Sequence, residues 1–247
     1  MIKNYIVFRD YETAEMNPNS AQITELAAVI IDPRSLEVIP ESVFCSKVCP
    51  EWDDDKATKA GWLPVNYKSL EVCGFTKADL EYAPQAKFVW GEYLNYLNRY
   101  GLKGKAGNNW NAPIVAGFNS SNFDDIIDLN MCSKFGPKLG ARGDWPFYHP
   151  TIKFDLMQLM HIVLNNIQLN ARNSMSMDTI REYFGMDNDL SHRASFDVLQ
   201  GAELFIKVLK LFRALTEGTV ELTKGKKLVF KNCFEKENAK IRKLLQV

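Results

Sequence analysis

Short apolar runs separated by polar breaks dominate the first fifty residues. Tyr5 to Phe8 is a β-favouring run that ends abruptly in Arg9-Asp10-Tyr11-Glu12. Ile23 to Ile31 is a second that closes at Asp32-Pro33, and Val38 to Val48 reads as a third, interrupted near Pro40. The three runs predict an antiparallel meander. A polar, Trp-containing connection from Pro50 to Leu70 follows, and Thr76 ahead of Asp79 marks a helix start over Thr76 to Tyr82. Phe88, Tyr93, Leu94 and Leu97 recur at helical spacing, which predicts a helix over Pro84 to Tyr100.

After a Gly/Asn-rich loop from Gly101 to Asn111, Pro113 to Phe118 reads as a buried strand leading into a helix from about Asn122 to Phe135. Recurrence of strand then helix favours an α/β sheet. Gly136 to Pro150 is loop-like, and helices are expected over Asp155 to Leu164, Met177 to Phe184 and Ala194 to Glu217. The last places Leu199, Ala202, Phe205, Leu209 and Phe212 on one stripe. No repeat or long linker divides the chain, so the reading is one domain over residues 1–217 with a basic extension over 218–247 packed on it or continuing it.

Composition narrows the class only slightly. The 247 residues are 46% hydrophobic and 24% charged, ordinary for a globular protein. No apolar run reaches the ~18 residues that cross a bilayer, and the chain does not open on a signal-peptide pattern, so a cytoplasmic protein without a membrane partner is expected. Cys45, Cys49, Cys73, Cys132 and Cys233 lack zinc-site spacing and read as reduced thiols; Cys45 and Cys49 have no second half of a metal site. Thirty basic residues balance thirty acidic ones, which leaves no global field for a phosphate backbone. The balance is uneven: from Lys224 onward eight basic residues face two acidic ones, an excess of six, read as a solvated terminal helix in preference to a nucleic-acid contact.

Three strings carry candidate chemistry. In Asp10-Tyr11-Glu12, at the end of the opening strand, positions i and i+2 share one face, so two carboxylates project together. In Gly117-Phe118-Asn119-Ser120-Ser121-Asn122-Phe123-Asp124-Asp125, a buried strand turns into a helix and sets Asp124 near a helix N-terminus. In His192-Arg193-Ala194-Ser195-Phe196-Asp197, five helical steps would separate His192 from Asp197 by about 140°. His192 is therefore read onto the preceding loop, over a site that Asp197 helps build. Each string has a bland explanation by itself: a wet strand end, a helix cap, a surface histidine. Together they have a shared logic, because four converging carboxylates repel unless cations neutralise them, and two divalent ions would do so. Oxygen-only ligands suit Mg²⁺ or Mn²⁺, paired ions serve phosphoryl displacement, and a histidine of pKa ~6.5 can take the proton of the attacking water.

The ordered strings D-Y-E-T (Asp10 to Thr13), N-S-S-N-F-D (Asn119 to Asp124) and H-x-x-x-x-D (His192 to Asp197) resemble the DEDDh, or DnaQ-like, exonucleases. Gly74-Phe75-Thr76 and Phe154-Asp155-Leu156 resemble further parts of that pattern, over roughly residues 4–215 in all, and within the family the strings are most similar to bacterial exonuclease I. The resemblance implies a ribonuclease H-like fold, a central mixed sheet flanked by helices. It implies 3′→5′ removal of nucleoside monophosphates, with single-stranded DNA as the expected substrate and an exoribonuclease or a catalytically silent nucleic-acid-binding subunit as alternatives. Asp10, Glu12, Asp124 and Asp197 would be ligands of two Mg²⁺ or Mn²⁺ ions and His192 the general base. Thr13, Phe123 and Asn119 are substrate-binding candidates, and a polymerase or a replication or repair factor is left open as a protein partner. Tyr183 to Asp187 fits the rival Tyr-x-x-x-Asp string, but Asp187 precedes a loop whereas Asp197 opens the strong helix; Asp125 is a decoy for Asp124. Trp145, Phe147 and Tyr148 beside Arg142 are either a base-stacking surface or, as such clusters more often are, local packing.

Overall fold

The computed structural model describes residues 4–101, 109–140, 145–166, 175–186, 194–216, 220–222 and 228–230. Strand β1 (Ile6–Thr13) continues past the apolar run and carries the acidic string at its end, as the alternation of Asp10 and Glu12 requires. Its neighbour β2 (Ile23–Asp32) is buried along nearly its whole length, which explains the apolar run from Leu26 to Ile31: both faces are covered. The two pair antiparallel from Ile6↔Ile31 to Glu12↔Glu25, with an irregularity before Thr13↔Ile23. The expected third strand is two short ones, β3 (Glu37–Val38) and β4 (Phe44–Lys47), both antiparallel to β2, with Pro40 in the gap between them.

Connection 50–70, read as irregular, holds helix α1 (Asp54–Lys59) and the start of α2 (Tyr67–Val72). Both are only six residues long, too short to show periodicity, and are fixed by Asp53 and Asn66 side chains that accept from backbone N–H groups of the first turn. Thr76 and Asp79 form a capping box on α3 (Lys77–Leu80). Helix α4 (Ala86–Tyr100) buries Val89, Trp90, Tyr93, Tyr96 and Leu97, whereas Phe88 faces outward. Strand β5 (Ile114–Gly117) lies parallel to β1 and leads through a 3₁₀ turn, Ser120–Asn122, into α5 (Asp124–Phe135). Asp155 ends a three-residue strand, β6 (Lys153–Asp155), parallel to β5, before α6 (Leu156–Asn166) begins. Two helices follow among the described residues, α7 (Met177–Tyr183) and α8 (Ala194–Thr216).

The sheet order β3-β2-β1-β5-β6, with β4 also on β2, joins an antiparallel half to a parallel half at β1. One face carries Val7, Tyr11, Val115 and the aromatic side of α4, packed with Ile127 and Met131 of α5. Trp145, Phe147 and Tyr148 are buried in this cluster, Trp145 and Tyr148 edge to face at 5.4 Å, so they are packing and not a stacking platform; Arg142 lies outside the described residues. On the other face Phe8 meets Phe205 of α8 at 6.0 Å between ring centroids. The buried stripe of α8 there is Ala194, Val198, Ala202 and Phe205; Ala202 and Phe205 are as expected, whereas Val198 takes the place read for Leu199, which is exposed.

The chain divides into two compact units, residues 1–206 and 207–247. In the second, β7 (Val220–Leu222) pairs antiparallel with β8 (Leu228–Phe230), so the C-terminal segment is not helical at 228–230; the basic residues from Lys224 onward lie outside the described residues. Four described cysteines, Cys45, Cys49, Cys73 and Cys132, are free thiols. No described helix is long and apolar enough to cross a membrane.

Candidate functional site

Alternation along β1 decides what the site is made of. Phe8, Asp10 and Glu12 share the face that α8 covers, whereas Val7, Arg9 and Tyr11 point to the α4/α5 side. Asp197, in the first turn of α8, completes a trio: ligand oxygens of Asp10, Glu12 and Asp197 all lie within 4.8 Å of one another. Asp124 is the first residue of α5 and only 2% exposed, and its Oδ1 is buried without a hydrogen-bond partner. Burial pushes the Asp124 carboxyl up to about 7, with Arg9 opposing and Asp128 and Asp125 reinforcing the rise. Asp10 is held well above the usual carboxylate range, first by burial and then by the charges of Asp124, Glu12 and Asp197. Four carboxylates from three separate stretches of the chain thus converge and weigh on one another. Their donor set is hard oxygen throughout, one buried oxygen is unsatisfied, and mutual repulsion is relieved by positive charge, which together fit hard divalent cations.

A buried ionic framework holds Asp124 in place. Arg9 is fully buried and donates from Nε to Asp128 Oδ2 at 2.8 Å and from Nη2 to Asp125 Oδ1 at 2.5 Å. Tyr11 donates to Asp128 Oδ1 at 2.5 Å, and Lys153 reaches Asp125 Oδ2 at 3.1 Å. Asp125 and Asp128 sit three residues apart on one face of α5, so the first turn of that helix is tied to β1. Ahead of it, Asp155 accepts from the backbone N–H groups of Asn119 at 3.0 Å, Ser121 at 3.1 Å and Met157 at 3.0 Å, fixing the turn before α5 and the start of α6 together. Asn119 takes a left-handed conformation at φ 53° within that turn, which asparagine tolerates better than most residues.

Two contacts position α8. Glu25, buried on β2 opposite Glu12, accepts the Ala194 N–H at 2.8 Å and so caps the helix from another strand. Gly201 lets the helix close onto β1: a Cβ there would stand 2.5 Å from Phe8 Cε1. On the strand side, the Cys73 thiol donates to Glu12 Oε2 at 2.9 Å, and burial followed by the Glu12 charge pushes that thiol upward in pKa.

Of the weaker candidates, Thr13 is buried and its hydroxyl is engaged with the Glu15 carbonyl at 2.7 Å. The Asn119 side chain accepts from Asn122 at 2.9 Å, and Phe123 is half-buried against the core. Asp125, the decoy, is an ion-pair partner of Arg9 and Lys153. His192 lies outside the described residues, as does Asp187 of the rival string, whose Tyr183 is exposed. Arg9, Asp128, Glu25, Arg181 and Gly201 were not singled out as site residues. The available signals were a charged residue inside a strand pattern and acidic residues at helical spacing.

A mixed sheet flanked by helices, with carboxylates gathered where β1 and the starts of α5 and α8 meet, has the ribonuclease H-like architecture. Solved structures that share it include E. coli exonuclease I in complex with a dT13 oligonucleotide, at a TM-score of 0.63 and 18% identity over 87% of this chain and 44% of that one. The zinc-bound form of an E. coli exonuclease I complex with single-stranded DNA superposes at 0.60, with 19% identity over 87% and 43% of the two chains. Cell-death related nuclease 4 (CRN-4) gives 0.61, at 13% identity over 84% of this chain and 64% of that one. The chain thus spans less than half the length of these exonuclease I structures. No family model matches the sequence, and comparison with curated proteins finds no match.

Proposed function

We propose that this chain is a divalent-metal-dependent 3′→5′ exonuclease of the DEDDh type, acting on single-stranded DNA with RNA as the alternative substrate. The observation that carries the proposal is the convergence of Asp10, Glu12 and Asp197 beside the buried Asp124. Added support comes from the fold shared with an exonuclease described as bound to oligo-dT and single-stranded DNA. In this reading Asp10, Glu12, Asp124 and Asp197 hold two Mg²⁺ or Mn²⁺ ions, which when bound supply Lewis acidity toward a scissile phosphodiester. His192 accepts the proton of the attacking water, a role for which the imidazole side chain is suited because a model histidine titrates at ~6.5. Thr13, Phe123 and Asn119, with the backbone after Glu12, meet the terminal nucleotide; the Asn119 Oδ1 accepts from Asn122 and the Thr13 hydroxyl donates to the Glu15 carbonyl, which leaves the Asn119 NH2 group as donor and the Thr13 oxygen as acceptor. Arg9 and Asp155 act behind the site, holding the α5 start where Asp124 can face Asp10.

The test is a time course on 5′-labelled single-stranded DNA, duplex DNA and RNA with Mg²⁺ or Mn²⁺. A ladder shortening from the 3′ end, fastest on single-stranded DNA, absent with EDTA and lost on Asp10→Ala or His192→Ala, is expected. An undegraded substrate, or equal rates for the parent and Asp10→Ala, refutes the proposal.

A further inference from the structure

The side chain of Arg181 on α7 is 1% exposed, yet its helix neighbour and ion-pair partner Asp178 is 46% exposed. An arginine on a helix surface ordinarily buries its stem and leaves its head in water. Here the head is turned inward: Nη1 meets Asp178 Oδ1 at 3.1 Å while Nη2 donates to Asp197 Oδ1. The guanidinium also lies 5.8 Å from the Phe196 ring centroid, and its Nε is buried without a hydrogen-bond partner. Burying a guanidinium with one donor unsatisfied is costly unless its charge is used. The charge it faces belongs to one of the carboxylates that gather at the site, whereas Arg9, the other buried arginine among the described residues, is bonded to Asp125 and Asp128.

We propose that Arg181 is a resident counterion of the carboxylate cluster: it holds Asp197 in position and its charge lowers the affinity of the site for divalent ions. This rests on the metal-site reading above. Arg181 is a positioning residue, one that acts on the reaction through Asp197. The two parts of its role have opposite consequences for an incoming cation. Orientation of Asp197 favours binding, and the fixed positive charge disfavours it. A purely structural arginine would favour binding only, so the direction in which metal affinity changes on its removal separates the two.

The experiment measures Mn²⁺ binding to the full chain, without nucleic acid, by the loss of the free-ion paramagnetic resonance signal. Arg181→Gln keeps a donor toward Asp197 but loses the charge, and a unit charge one side chain away from a divalent ion corresponds to about ten-fold in affinity even in a water-like dielectric. The Mn²⁺ Kd is expected to fall about ten-fold in Arg181→Gln and to stay within about two-fold in Arg181→Lys, while kcat falls in both because the fork onto Asp178 and Asp197 is lost. An unchanged or higher Kd in Arg181→Gln overturns the counterion role. Should Arg181→Gln fail to fold, Asp178→Asn serves instead: it removes the second carboxylate sharing the guanidinium, so Kd should rise about two-fold, and an unchanged or lower Kd overturns the role. Parent and Asp10→Ala binding Mn²⁺ alike would remove the metal-site reading and this inference with it. Loss of binding in Asp10→Ala without tightening in Arg181→Gln would sink the inference alone.

Discussion

Replacing Arg9 with methionine removes the cation at the centre of the framework behind Asp124 while keeping most of the side-chain volume. Arg9 gives Asp128 two contacts, at 2.8 and 2.6 Å, and Asp125 one at 2.5 Å. Asp128 is wholly buried, so the substitution leaves a carboxylate with only the Tyr11 hydroxyl, while Asp125 retains Lys153. Hydrogen bonds to charged groups contribute about 1.5–3 kcal/mol each, and three of them would suggest a larger loss than one broken pair. Arg9 also carries an unpartnered Nη1 and its own desolvation cost, both relieved in the variant. The expected loss is therefore that of a buried pair deprived of one partner, about 3–5 kcal/mol. Urea unfolding followed by tryptophan fluorescence measures it from the shift in midpoint. The pH dependence carries a sign. Burial already raises the Asp128 carboxyl above its ordinary value against the pull of Arg9. Without Arg9 it rises further, and a raised carboxyl costs stability above its folded pKa but not below its unfolded pKa of ~3.9. The deficit should thus narrow as pH falls from about 8 to 5, and Asp128→Asn in the Arg9→Met background should recover part of it at pH 8. A loss under about 1 kcal/mol, or a deficit that widens on acidification, would refute the reasoning.

Gly201→Ala places a methyl 2.5 Å from the Phe8 ring and should push α8 off β1, costing roughly 1–3 kcal/mol and lowering nuclease rates by displacing Asp197; unchanged melting and rate would contradict this. Asp155→Ala orphans three backbone N–H groups around the turn before α5 and should reduce activity and destabilise by roughly 2–4 kcal/mol, whereas Asp155→Asn should be milder; circular dichroism melts and rates check both. Because the carboxyls of Asp10 and Asp124 are raised, the latter to about 7, the metal-free chain should lose stability as pH rises from about 4 through 7, the folded state holding protons that the unfolded state releases. Mg²⁺ should therefore raise the melting temperature more at pH 8 than at pH 5.5; an equal or reversed effect would contradict the site electrostatics.

How much of this could be read from the chain depends on what each signal needs. The long apolar run of β2 and the helical periodicity of α4 and α8 are strong local patterns, and they identify the main elements. Even there the buried faces were read one position out at Leu199 and Phe88, because an apolar residue beside a wide stripe fits the spacing without belonging to it. The short elements α1, α2 and β6 were missed for want of a period to count. Asp10, Glu12, Asp124 and Asp197 stand out in the sequence by type and order; the structure sets ligand oxygens of Asp10, Glu12 and Asp197 within 4.8 Å of one another, with the charge of Asp124 bearing on Asp10. The support behind them was not legible: Arg9 with Asp128 is a contact across 119 residues, Glu25 with Ala194 one across 169, and neither pairing leaves a trace in local composition. Gly201 has meaning only once Phe8 stands against it.

The most direct test of the central claim is an anomalous difference map from crystals of this protein soaked in Mn²⁺ near neutral pH. Mn²⁺ density bounded by Asp10, Glu12, Asp124 and Asp197 is expected, and its loss when Asp10 is replaced by alanine. Density confined to other surface carboxylates, with these four side chains bare, would contradict it.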